Sequence, residues 1–215
     1  MVETMATLGK AELRARLLAS RRGVAAEERA AEARLLIDHL GVAVSGGSTV
    51  CAYVPVGTEP GSPEMLDMLL RRSVRVLLPV ARTAADDTPL PLHWGEYRPG
   101  RLTRARWGLL EPPEPVLPPS ALADAALVLV PTLAVDRAGV RLGRGSGFYD
   151  RSLGARGPHT RLIAVVRDDE LLEELPAEPH DVRMTHALTP RGGLVPLFPA
   201  GHDGECHKSR GGSST

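Results

Sequence analysis

The run Ala126-Leu127-Val128-Leu129-Val130-Pro131 is apolar without interruption. A strand with one wet face alternates in polarity, whereas a short unbroken run belongs to a strand covered on both faces, as in a parallel sheet. The chain is thereby directed to an α/β fold with a mostly parallel central sheet. Beyond that run lies Arg141-Leu142-Gly143-Arg144-Gly145-Ser146-Gly147-Phe148-Tyr149-Asp150. Its alternating glycines permit φ > 0 and let amide N–H groups approach an anion with no Cβ in the way. Arg141 and Arg144 sit inside the turn, and residues 148–153 read as the first turns of a helix, whose N-terminus carries a positive partial charge. The combination predicts a phosphate cradle past the carboxyl end of a central strand, where open α/β sheets place ligands.

Three better-known glycine motifs do not fit. GxGxxG needs glycine where Phe148 stands, and a P-loop needs Gly-Lys-Ser/Thr, but no lysine is near. The GxSxG elbow needs glycine two residues before the serine, where Arg144 stands. A plain glycine-rich surface turn is the remaining alternative; two arginines and Asp150 in so short a stretch count against it.

Composition matters where it excludes. A formal net charge of zero offers no broad footprint for nucleic acid, and 3% aromatics leave few stacking platforms for single strands. No apolar run is long enough to span a membrane, and residues 1–10 lack the basic-then-apolar order of a signal peptide. Cys51 lies in an apolar run and Cys206 in a polar tail, so neither a disulfide framework nor a metal cluster is expected, and a cytoplasmic location is. Of 26 basic residues only Lys10 and Lys208 are lysines. Lys10 is the one lysine outside the tail, which points to a place needing a compact ammonium; a solvated helix face is the plainer account.

Along the chain, residues 8–22 read as a helix carrying Lys10 and Arg14 one turn apart, and 25–40 as a second helix closed by Gly41. Strands are expected at 49–54, 74–80 (ended by Pro79), 90–94, 126–131, 161–166 and 182–188. Ser62-Pro63-Glu64 opens a helix with Ser62 as N-cap, and Glu59 falls on the strand-to-helix loop before it. Residues 96–119 read as a proline-rich surface wrap, and 168–175 as a short acidic helix ended by Pro176. One domain, 8–198, is expected between disordered tails at 1–7 and 199–215.

In this order, Lys10 and Arg14, the Glu59 loop, Gly108-Leu109-Leu110-Glu111-Pro112, Pro131 with Val135-Asp136, the 141–150 run and His180-Asp181 together resemble the 5-formyltetrahydrofolate cyclo-ligase (methenyltetrahydrofolate synthetase) family over residues 8–190. The resemblance implies a three-layer α/β/α fold of the sugar-phosphate isomerase and CoA-transferase type. It implies an enzyme that uses ATP and Mg²⁺ to convert 5-formyltetrahydrofolate into 5,10-methenyltetrahydrofolate. On that resemblance Lys10 and Arg14 bind ATP phosphates, and Arg141, Leu142, Gly143, Arg144, Gly145, Ser146, Gly147, Phe148 and Tyr149 enclose the nucleotide. Arg144 and Lys10 are its catalytic cations. Val54, Glu59, Arg144 and Phe148 border the folate, polyglutamylated or not, and Asp150 and Asp181 match magnesium positions. Ser146 stands where members often carry Lys or Gly, and Phe148 where they carry Tyr; tuning rather than loss of activity is expected. A monomer or weak homo-oligomer is expected. The competing readings are a sugar-phosphate isomerase or acyl-transfer enzyme of the same fold, and a non-catalytic folate- or nucleotide-binding regulator.

Overall fold

The computed structural model describes residues 9–178 and 181–197. The expected tails and His180 lie outside them. The central sheet has eight strands: β1 (Thr49–Cys51), β2 (Arg75–Val80), β3 (His93–Glu96), β6 (Val116–Leu117), β7 (Leu127–Pro131), β10 (Arg161–Val165), β12 (His186–Thr189) and β13 (Gly193–Pro196). Their order is β13-β12-β10-β7-β1-β2-β3-β6. The pairs within β12-β10-β7-β1-β2 are parallel and the outer ones antiparallel. Along β7 the pleat sends Leu127 and Leu129 to one core, with Leu36, Leu40, Met65 and Leu69, and Val128 and Val130 to the other, with Leu122 and Leu153. That double burial is why its sequence shows no alternation.

Helices α2 (Ala26–Ala43) and α3 (Glu64–Arg71) supply the first covering layer. The opposite layer is thin, built from α4 (Phe148–Ser152) and the 3-10 turns Pro119–Asp124 and Leu153–Ala155. Helix α1 (Lys10–Gly23) covers neither face. Its Leu13 and Leu17 pack with Leu133, Ala134, Val140, Leu142 and Leu175, on a small sheet of β8 (Ala134–Asp136), β9 (Arg141–Leu142) and β11 (Leu171–Leu172). This placement lays α1 beside the glycine turn. No helix among the described residues is long and apolar enough to cross a membrane.

Several local expectations are corrected. α2 runs through Gly41 to Ala43; Leu36 and Leu40 keep its inner face buried, and a glycine inside a helix costs only about 1 kcal/mol. Helix α3 has no side-chain cap from Ser62. Pairing in β1 stops at Cys51, although Ala52 N–H still donates to Leu77 O at 2.9 Å. The next bond of a parallel ladder would need an N–H at Pro79, which has none. Pro79 itself stays inside β2, opposite Trp94 in the antiparallel pair. The third strand starts at His93 rather than residue 90, because the Leu92 N–H is taken by the Ser152 hydroxyl at 2.8 Å. The 96–119 wrap contains β6 and the short pair β4 (Thr103–Arg104) and β5 (Leu110–Glu111). The acidic helix is instead a 3-10 turn, Asp168–Glu170, running into β11, because Glu170 turns inward to Arg21. The last expected strand begins at His186 and is followed by β13, with the Pro190-Arg191-Gly192 turn between them.

Candidate active site

A cleft of about 170 Å³ opens where β1 stops pairing. Tyr53, Val54 and Glu59 form one wall, Pro79, Ala81 and Leu92 another, and Leu109 and Leu110 a third. The floor is Pro131 and the glycine turn, with Arg141, Gly143, Arg144, Gly145, Ser146, Gly147, Phe148, Tyr149 and Asp150 all lining it. Gly145 (φ 97°) and Gly147 (φ 78°) occupy the left-handed region, where a side chain would be strained. Gly147 precedes the first residue of α4, so the turn delivers its chain directly into a helix start. At five residues α4 contributes only its first amides, not a long dipole.

Behind the turn, Arg14 Nε donates to Gly143 O at 3.0 Å, and a Cβ at Gly145 would lie 3.5 Å from the Arg14 guanidinium carbon. Arg14 thus braces the outer side of the turn. Leu142 points away, buried with α1. Lys10 does not line the cleft; its Nζ is 2.8 Å from Glu178 Oε1 and 3.6 Å from Asp181 Oδ2. Asp181 also accepts the Glu178 N–H at 2.8 Å.

Two cations of the turn are matched by carboxylates, while Arg14 and Arg151 donate to backbone carbonyls of the turn. Arg144 Nε lies 3.2 Å from Glu59 Oε1, and Arg141 pairs with Asp150. Glu59 Oε2 accepts the Val56 N–H at 2.9 Å, which anchors the carboxylate to its own loop. Burial raises the Glu59 carboxyl above its ordinary value, and the Val56 N–H, Arg144 and Arg21 pull it back only in part. Burial also pushes the Tyr149 phenol up, with Glu59 adding to the effect. The Tyr149 hydroxyl and Arg141 Nε have no hydrogen-bond partner among the described residues, though both side chains line the cleft. Buried donors left open beside a cleft are positions for ligand acceptors. Asp150 and Asp181 are held by different cations, and among the described residues no group of three or more His, Cys, Asp and Glu gathers at one point.

Three features escaped the sequence reading. Glu111 accepts the Ala81 N–H at 2.8 Å and Arg82 at 3.0 Å, tying the wall of Leu109 and Leu110 to the end of β2. Trp107, at φ 58°, stands edge-on to Phe148 at 5.6 Å with Arg106 over its face at 4.7 Å. Asp136 is buried and accepts the N–H groups of Val140 (2.8 Å) and Leu175 (3.0 Å), fixing the turn that enters β9. An acid after an apolar run signals none of these partnerships. In that turn Gly139 has φ 83°, and a Cβ there would meet Met184 O at 2.4 Å. Gly139→Ala is expected to cost about 2–4 kcal/mol, combining left-handed strain with overpacking against backbone; urea denaturation measures it, and a loss below half a kcal/mol would refute the steric account.

A model of the 5-formyltetrahydrofolate cyclo-ligase family matches residues 6–190. The chain is 56% identical over 193 residues to the 5-formyltetrahydrofolate cyclo-ligase of Mycolicibacterium smegmatis, covering 90% of this chain and 100% of that protein. It is 31% identical over 144 residues to the cyclo-ligase of Escherichia coli, covering 66% and 78%. The fold is shared with the Aquifex aeolicus 5,10-methenyltetrahydrofolate synthetase (TM-score 0.72, 24% identity, 94% of this chain and 99% of that one). It is shared also with the Mycoplasma pneumoniae synthetase (TM-score 0.64, 18% identity, 82% and 96%).

Proposed function

Because the chain belongs to the 5-formyltetrahydrofolate cyclo-ligase family, we propose that it is a cytoplasmic enzyme that closes 5-formyltetrahydrofolate to 5,10-methenyltetrahydrofolate at the expense of ATP. The observation that carries this reading is the single cleft in which Glu59 faces the glycine turn and Arg144. One side offers an acceptor-only carboxylate for the amino and ring N–H groups of a pterin; the other offers amides and guanidinium groups for phosphates.

A formamide carbon is a poor electrophile and its oxygen a poor leaving group. Transfer of the γ-phosphoryl group to the formyl oxygen releases ADP and leaves an imidate-like phosphate on N5. N10 then attacks that carbon, its proton departs, and the C–O bond breaks to expel phosphate and leave the methenyl bridge. No protein nucleophile is needed. The protein aligns the formyl oxygen with phosphorus and neutralises charge, which is how phosphoryl transfer is catalysed. Arg144 and Lys10 supply that charge, Arg14 holds the turn, and Phe148 gives the folate an apolar face. Holding N10 against the activated carbon adds the intramolecular advantage. Asp150 and Asp181, once released from Arg141 and Lys10, would hold Mg²⁺, an ion that takes one or two carboxylates beside substrate phosphates and screens their charge.

Incubation with 5-formyltetrahydrofolate, Mg²⁺ and ATP should give an ATP-dependent methenyl chromophore; folded protein that gives none would defeat the assignment. Lys10→Ala should raise the KM for ATP by about tenfold or more, as loss of a charged hydrogen bond does, and leave the folate KM near its original value. Glu59→Gln should do the reverse, and the opposite pattern would mean the two ligands are exchanged. Since the raised Glu59 carboxyl must be ionised to accept pterin N–H groups, folate affinity should start to fall at a pH where a surface glutamate is still charged. The same shift makes its stability contribution full at low pH and lost as pH rises through the raised value. Titrating folate Kd against pH tests this, and Glu59→Gln should flatten the curve.

A further inference from the structure

Arg144 and Glu59 cannot serve two different ligands while they hold one another. The ion pair spans the cleft at 3.2 Å, with Glu59 on the wall given to the pterin and Arg144 on the turn given to the phosphates. The two partners are unequally free. Glu59 is 12% exposed and its second oxygen is anchored by the Val56 N–H, whereas Arg144 is 47% exposed and makes no hydrogen bond among the described residues. The pair therefore opens by Arg144 swinging away, which leaves a buried carboxylate unopposed.

We propose that the Arg144–Glu59 pair couples the two substrates, so that nucleotide and reduced folate each tighten the other's binding; this rests on the assignment of the cleft above. The ligand that arrives first bears the cost of separating the pair. A phosphate replaces Glu59 as the partner of Arg144, or pterin N–H donors replace Arg144 as the partners of Glu59. The second ligand then finds its own protein partner already released. Because coupling is a property of the ternary complex, the factor is the same in both directions. The other ion pairs at the site lack this property. Arg141 with Asp150, and Lys10 with Glu178 and Asp181, join groups to which the assignment above gives no part in holding the pterin.

The test is calorimetric titration of the full chain with Mg²⁺ and a non-hydrolysable ATP analogue, with and without saturating 5-formyltetrahydrofolate, and the reciprocal titration. In the wild type each ligand should lower the other's Kd by the same factor, about 5- to 20-fold for a coupling of this kind. In Arg144→Met and in Glu59→Gln that factor should fall close to one, while circular dichroism shows the variants folded. Wild-type affinities that ignore the second ligand, or that weaken in its presence, would overturn the proposal without recourse to a variant. Coupling that survives intact in Arg144→Met would overturn it as well. Failure of the underlying assignment looks different: the wild type would bind neither ligand and produce no methenyl chromophore.

Discussion

Glu170→Ala is expected to destabilise the protein by about 3–5 kcal/mol, the usual consequence of removing one partner from a buried ion pair. Arg21 and Glu170 are 2% and 3% exposed, and meet through Nε to Oε1 at 2.6 Å and Nη2 to Oε2 at 2.7 Å. Arg21 Nη2 also donates to Thr132 O at 2.6 Å, and Glu170 Oε2 accepts the Arg167 N–H at 2.8 Å. Deleting the carboxylate strands a guanidinium out of water. For a chain of this length each kcal/mol moves Tm by about 2–4 °C, so scanning calorimetry should show a fall of about 6–20 °C. The double variant Arg21→Met/Glu170→Met should recover most of that loss, since matched apolar replacements of a buried pair are often neutral. If single and double variants melted together, the destabilisation would belong to lost packing rather than to an unopposed charge. The pair ties α1 to the loop after β7 and so sets the helix that carries Lys10 and Arg14.

Arg144→Met should lower kcat by about 10²–10³, the cost of removing one donor aimed at developing transition-state charge. Arg144 lines the cleft with almost half its side chain exposed, so the fold has little need of it and Tm should hardly move. Arg144→Lys should restore part of the rate, because charge survives while the planar fork does not. Single-turnover measurement of ADP release separates chemistry from binding. A drop of less than about threefold, against the expected magnitude, would take Arg144 out of the charge-stabilising role.

The legible parts of this molecule are those whose physics is local. Unbroken apolar character at residues 126–131 marked β7 because both faces of one short segment are buried. The glycines of the 141–150 turn announced positive φ, observed at Gly145 and Gly147, since only neighbouring atoms set that allowance. Positions decided by distant partners carry no such local signal. Residues 168–175 read as a short acidic helix because the partner that turns Glu170 inward, Arg21, lies far off in the sequence.

From the order of residues alone came a parallel α/β core, a glycine turn with positive φ past a central strand, and the family. Those follow from side-chain period, backbone allowance and motif chemistry, none of which needs a distant partner. Which cation meets which carboxylate was settled only in three dimensions. Arg21 finds Glu170 across 149 residues, and Arg14 finds Gly143 across 129. With 26 basic and 26 acidic residues, very many such pairings are chemically equivalent along the chain. Packing of α1 on the small sheet selects these two, by bringing Arg14 and Arg21 within bonding distance of their partners.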